Sequence, residues 1–191
     1  MANARVHARI ETRAVTNELP DIIGDHLTLL FCGINPGMTA ATAGHHFVNR
    51  SNRFWRVLHL AGFTPREIPP EQDRTILDYG YGLTAVVRRA TARADQLSRD
   101  EFTAAAAEFT QKIARRAPRF VAFLGKPAYA ALSGQRDIVW GEQPGQLEGA
   151  AIWVVPNPSG RNRAFTLDAL VAAYRPLYLA TIGATTKRHS P

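Results

Sequence analysis

The chain has 191 residues, 46% of them hydrophobic, with a formal net charge of +7 and a sequence pI of about 10.2. That length supports one well-packed core and is short for two, and the single cysteine excludes both a disulfide framework and a Cys-rich metal cluster. No run approaches a membrane span, and MANARVHARIETRAVTNELP carries arginines without a continuous apolar stretch, so a soluble cytoplasmic protein is expected, nucleoid-associated if bacterial.

In chain order, the first element is the apolar run Leu27–Ile34, which reads as a buried strand, holds Cys32 as a small hydrophobe, and stops on Asn35-Pro36-Gly37. Ser51 or Asn52 can cap a helix through Phe54, Val57, Leu58 and Ala61, with Gly62 as its stop. A second strand is expected over Gly82–Val87. The letters Gly80-Tyr81-Gly82-Leu83-Thr84-Ala85 imitate a dinucleotide fingerprint, but they precede a strand instead of following one, so no phosphate would meet a helix N-terminus. Ser98-Arg99-Asp100-Glu101 is a capping box, followed by Phe102, Ala106, Phe109 and Ile113 on one helical face and stopped by Pro118. The third strand is Phe120–Leu124, and Pro127 suits the first turn of a short helix after Gly125-Lys126. The fourth, Ile152–Val155, runs into Pro156-Asn157-Pro158-Ser159-Gly160, and Thr166 can cap a last helix with Leu167, Leu170, Val171 and Tyr174 facing inward. This alternation of strands and helices predicts an α/β fold: a single three-layer α/β/α domain over residues 20–182 with a mainly parallel central sheet. The ends, 1–19 and 183–191, lack a pattern that would bury them and are expected to be flexible.

In such a sheet a ligand binds beyond the carboxyl ends of the strands. Those positions hold Asn35-Pro36-Gly37, Arg88 to Gln96, Gly125-Lys126, and Asn157 to Arg163. Gly125-Lys126-Pro127 lacks the other residues of a P-loop, Ser159 lies in no Gly-x-Ser-x-Gly elbow, and His45-His46 have no partners for a metal set. What remains is a rim of amides, glycines, aromatics and arginines, suited to a neutral polar ligand on an anionic backbone. The net charge agrees with nucleic acid, although solvated arginines would give the same sum.

FCGINPG, SNRFW, LGKPAY and VVPNPSG, in this order and spacing, resemble the mismatch-specific uracil-DNA glycosylases, relatives of thymine-DNA glycosylase in the uracil-DNA glycosylase superfamily, over roughly residues 20–180. The resemblance implies a monomeric enzyme that flips uracil out of mismatched double-stranded DNA and hydrolyses its N-glycosidic bond without metal or cofactor. It makes Asn35 the amide that orients the attacking water. It places Gly33, Ile34, Phe47 and Asn157 at the base, with Phe47 stacking on it. Ser159, Gly160, Arg161, Asn162 and Arg163 fall in a loop that enters the duplex, and Lys126 falls on a phosphate. Arg161 stands where the family commonly has an apolar wedge.

The residues leave alternatives open. Asn35 can cap a turn, Asn157 can organise its loop, Phe54 and Trp55 fit the core, and Arg50 and Arg53 fit either solvent or phosphate. An amide takes up no proton, so a carboxylate would help. Asp95 in the rim loop is the candidate, while Asp21, Asp25, Asp73, Asp78, Asp100, Asp137 and Asp168 fit helices or distant turns. A binding module without chemistry and a hydrolase of free nucleosides are the rival functions.

Overall fold

The computed structural model describes residues 18–93 and 96–186. Its centre is a five-stranded sheet in the order β2-β1-β3-β5-β4, formed by β1 (Leu29–Gly33), β2 (Tyr81–Ala85), β3 (Phe120–Leu124), β4 (Gly141–Leu147) and β5 (Ala150–Val155). β1 pairs in parallel with β2 and β3, and β3 with β5. Every residue of β2 and β3 is buried, which is why both read as unbroken apolar runs.

β4 is the strand that the sequence pattern misses. It is antiparallel to β5, mostly exposed, and shifts register between Glu142 and Gln146. GEQPGQL has neither alternation nor an apolar run, because an edge strand with one wet side needs neither and tolerates Pro144 at an irregularity. β3 has the expected bounds, and the other three expected strands exist with shifted ends.

Side chains of β1 alternate between two cores. Leu29 and Phe31 face α2 (Phe54–Ala61) and α5 (Leu167–Thr186), whereas Leu30 and Cys32 face α3 (Arg99–Arg116) and α4 (Lys126–Ser133). Three layers result. Cys32 is fully buried, and burial pushes its thiol pKa well up, so it stays protonated. On the first face Phe31 meets Phe54 edge-on at 5.3 Å, and Tyr174 donates to the Pro156 carbonyl at 3.0 Å.

Local punctuation follows the sequence at most ends. Ser98 and Glu101 form a reciprocal capping box at α3, Pro127 sits in the first turn of α4, and Thr166 Oγ1 accepts from Ala169 N. The start of α2 differs: Arg53 occupies the cap position without a side-chain cap, and Asn52 Oδ1 accepts from Phe54 N instead. Between β1 and α2 lies α1 (Met38–Ala43), and between α2 and β2 a 3₁₀ segment, Pro70–Tyr79, neither of which the periodicity announces. Glu18 and Leu19, assigned above to a loose end, belong to the fold: Glu18 bridges Arg89, Leu19 is buried, and Ile22 pairs with Leu83. At the other end α5 continues to Thr186.

The order β2-β1-β3 means the chain leaves β1 to one side and returns to the other. Such a switch point opens a crevice at the carboxyl ends of the central strands. None of the helices among the described residues is long and apolar enough to cross a membrane.

Candidate active site

A cleft of about 400 Å³ occupies that crevice. The segment Gly33–Ala40 after β1 forms its floor, Leu19 and the loop of His46 to Asn52 one side, Thr91 to Arg93 another, and Asn157, Ser159, Gly160 and Arg161 the lip. Gly33, Ile34, Asn35, Phe47, Asn157, Ser159, Gly160 and Arg161 are thus brought together from three stretches of sequence.

Asn35 is held by its nitrogen. Nδ2 donates to Thr91 Oγ1 at 2.7 Å, to the Arg89 carbonyl at 3.0 Å and to the Pro36 carbonyl at 3.1 Å. Carbonyls only accept, so these contacts decide which end of the amide is nitrogen. No donor among the described residues reaches Oδ1, which is left as a fixed, uncharged acceptor at the cleft.

Phe47 sits in the left-handed region, at φ 57°, and stacks on Phe54 with centroids 3.9 Å apart. A phenylalanine holds that backbone only where its neighbours over-determine it. Here they do: His46 N donates to Asp73 Oδ2 at 2.8 Å, Trp55 Nε1 donates to the His46 carbonyl at 3.1 Å, and His46 Nε2 donates to the Pro20 carbonyl at 2.9 Å. Burial pushes the His46 pKa below its ordinary value, against the pull of the Pro20 carbonyl and of Asp73, so the ring is neutral with its proton on Nε2. Asp73 corrects an expectation: it belongs to the 3₁₀ segment, yet its buried carboxylate anchors the loop that carries Phe47.

The lip is built by Arg53, whose guanidinium is turned onto the backbone of the second loop. Its guanidinium donates to four carbonyls: Pro158 at 3.3 Å, Phe165 at 2.6 Å, Ser159 at 3.0 Å and Asn162 at 2.9 Å. Asn157 Oδ1 accepts from Ser159 N, and Asn162 Nδ2 donates to the Asn157 carbonyl, so both amides organise the turn. Gly160 packs so closely on the first loop that a Cβ there would stand 2.5 Å from Ser51 Cβ and 2.6 Å from its carbonyl oxygen. Arg161 is exposed and reaches across to the Ala92 carbonyl at 3.0 Å.

Other expectations are not gathered into the cleft. Lys126 begins α4 as expected, but its ammonium lies 4.8 Å from the centre of the Trp140 ring and outside the cleft lining. Asn162 and Arg163 also lie beyond the lining. Asp95 lies outside the described residues. His45 and His46 are loop histidines, and among the described residues no group of His, Cys, Asp or Glu could hold a metal ion.

The family model for the uracil DNA glycosylase superfamily matches residues 20–180. The chain belongs to that superfamily. Among solved structures it is similar to the solution structure of a candidate uracil DNA glycosylase from Methanosarcina acetivorans, at 21% identity and a TM-score of 0.58, with 85% of this chain and 98% of the other covered. That likeness shows a shared fold. The superfamily match supplies the frame in which a neutral acceptor at a cleft becomes a candidate for glycosidic-bond chemistry.

Proposed function

We propose that the protein is a monofunctional DNA glycosylase that hydrolyses the N-glycosidic bond of uracil in mismatched G·U duplexes, starting base excision repair. The observation that carries this reading is the Asn35 amide, oriented by three contacts to its own nitrogen, with no donor among the described residues on Oδ1, on a residue that lines a cleft with Phe47.

A glycosylase takes its target base out of the stack, so the nucleotide is flipped into the cleft, at a cost of a few kcal/mol that is least for a mismatched pair. Phe47 then stacks on the pyrimidine, and Gly33, Ile34 and Asn157 line its edge. The bond between the sugar C1′ and uracil N1 breaks with its electron pair leaving on uracil, and an oxocarbenium-like sugar develops. Oδ1 accepts a hydrogen bond from a water and holds its oxygen toward C1′. As the C1′–O bond forms, the water's proton passes to the departing uracil anion or to solvent. Asn35 carries no charge and takes no proton, which suffices because the sugar cation is the reactive partner. From the lip outward, Ser159 to Arg163 fill the gap left by the flipped nucleotide, Arg161 stacks or hydrogen-bonds there, and Lys126 neutralises phosphate.

The test is single-turnover base release from a labelled duplex carrying uracil opposite guanine, read by alkaline cleavage at the abasic site. Wild type should nick it and release less from adenine-paired uracil, while Asn35→Ala should lose about 100-fold or more in rate with DNA affinity retained. Asp95→Ala tested beside it assigns or removes a carboxylate from the reaction. Absence of nicking in wild type would leave a binding module as the better reading.

A further inference from the structure

We infer that Thr91, which lines the cleft beside Asn35, is a positioning residue for the reaction that sets the direction of the Asn35 amide; this rests on the glycosylase reading above. Thr91 is 5% exposed, and its hydroxyl has one proton to give. That proton goes to the Arg93 carbonyl at 2.8 Å, because a carbonyl can only accept. The oxygen lone pairs are therefore turned toward Asn35 Nδ2, 2.7 Å away, in the shortest of that nitrogen's three contacts. The polarity of the chain runs one way: Asn35 N–H to Thr91, Thr91 O–H to Arg93.

The backbone fixes the same pair of segments. Thr91 N donates to the Pro36 carbonyl at 3.1 Å, and Gly37 and Thr91 form a parallel bridge, so the turn after β1 and the loop after β2 are joined at the residue that receives the amide. A second support stands behind it. Arg89, whose carbonyl also accepts from Asn35, is gripped by both carboxylate oxygens of Glu101 at 2.6 and 3.0 Å and donates to the Gln96 carbonyl at 3.1 Å. Glu101 is the same residue that closes the capping box with Ser98, so the start of α3 anchors the carbonyl on which the amide rests. The two Nδ2 protons are shared among three acceptors, so without the Thr91 hydroxyl the nitrogen would still find two carbonyls but would lose its shortest contact and turn toward them, and Oδ1 would lose its present bearing.

The experiment compares Thr91→Val, of nearly the same shape but without a hydroxyl, with Thr91→Ser, which keeps it. Single-turnover release from the G·U duplex should fall about tenfold or more in Thr91→Val and return to within about threefold of wild type in Thr91→Ser, since small displacements of a positioned group cost rates of that order. Affinity for a duplex with a non-hydrolysable uracil analogue should stay the same in both. In an Asn35→Ala background, Thr91→Val should cause no additional loss, because Thr91 acts only through that amide. Thr91→Val with unchanged release in an active wild-type background overturns this role alone. So does a multiplicative loss on top of Asn35→Ala, or failure of Thr91→Ser to rescue. A wild-type protein that releases no base overturns the glycosylase reading and this role with it.

Discussion

Arg53 shows how a charge can be wholly committed to holding a loop. Its guanidinium converges on four carbonyls of the segment 158–165, a set no lysine could reach, since an ammonium offers one point of donation and the guanidinium a planar fork. Arg53→Lys should therefore cost about 2–3 kcal/mol of unfolding free energy in urea melts and slow base release, although net charge is unchanged. The residue's part was not legible in SNRFW, where an arginine before a helix fits solvent or phosphate equally well. Its partners are backbone groups more than a hundred positions away, and carbonyls leave no mark in a sequence. Asn35 was legible, because an amide ending an apolar strand is a local oddity, but its three acceptors were not. Gly160 carries a second prediction at this scale. Gly160→Ala should lower stability by about 1–3 kcal/mol and weaken activity together, because the added methyl group meets the Ser51 carbonyl, which cannot swing aside as a side chain can. Urea melts and single-turnover assays on one preparation check both.

At the scale of elements, the loop between α1 and α2 is held from outside itself. Around Phe47 its partners are borrowed: Asp73 from the 3₁₀ segment, Pro20 from the N-terminal segment, and Trp55 from α2. Strands and long helices were readable because burial imposes a period on them. This loop and the exposed strand β4 were not, because nothing periodic pays the entropy of ordering them. The dependence on His46 makes the loop sensitive to acid. The His46 pKa is lowered in the fold, so the unfolded chain binds the proton more readily. Stability should be full above about 6.5, its ordinary value, and fall as pH drops below it until the folded ring also protonates. His46→Gln keeps a donor for the Pro20 carbonyl and cannot ionise, so thermal melts across pH should show a shallower acid limb than wild type. An equal limb in both proteins would assign the acid sensitivity elsewhere.

For the whole molecule, the sum of +7 matters less than where it is left uncompensated. Several cations meet carboxylates: Lys112 with Asp21, Arg116 with Asp25, Arg88 with Glu18 and Glu108, Arg89 with Glu101. Arg161 at the lip and Lys126 at the start of α4 meet neutral groups instead, a carbonyl and an indole, so their charge remains available to an anion. On the proposed function, a duplex held at the cleft would meet these charges and release counterions from phosphate. The logarithm of affinity should fall linearly with the logarithm of salt concentration, at a slope of about −0.9 per neutralised phosphate. Lys126→Ala, at the residue proposed to neutralise phosphate, should reduce the magnitude of that slope by about 1 while leaving the single-turnover rate at saturating enzyme nearly unchanged, because a phosphate contact positions without taking part in chemistry. Fluorescence anisotropy of a labelled duplex over a salt series measures the slope. A hydrolase of free nucleosides would give the opposite pattern, turnover indifferent to salt and to Lys126, because a nucleoside brings no phosphate to hold.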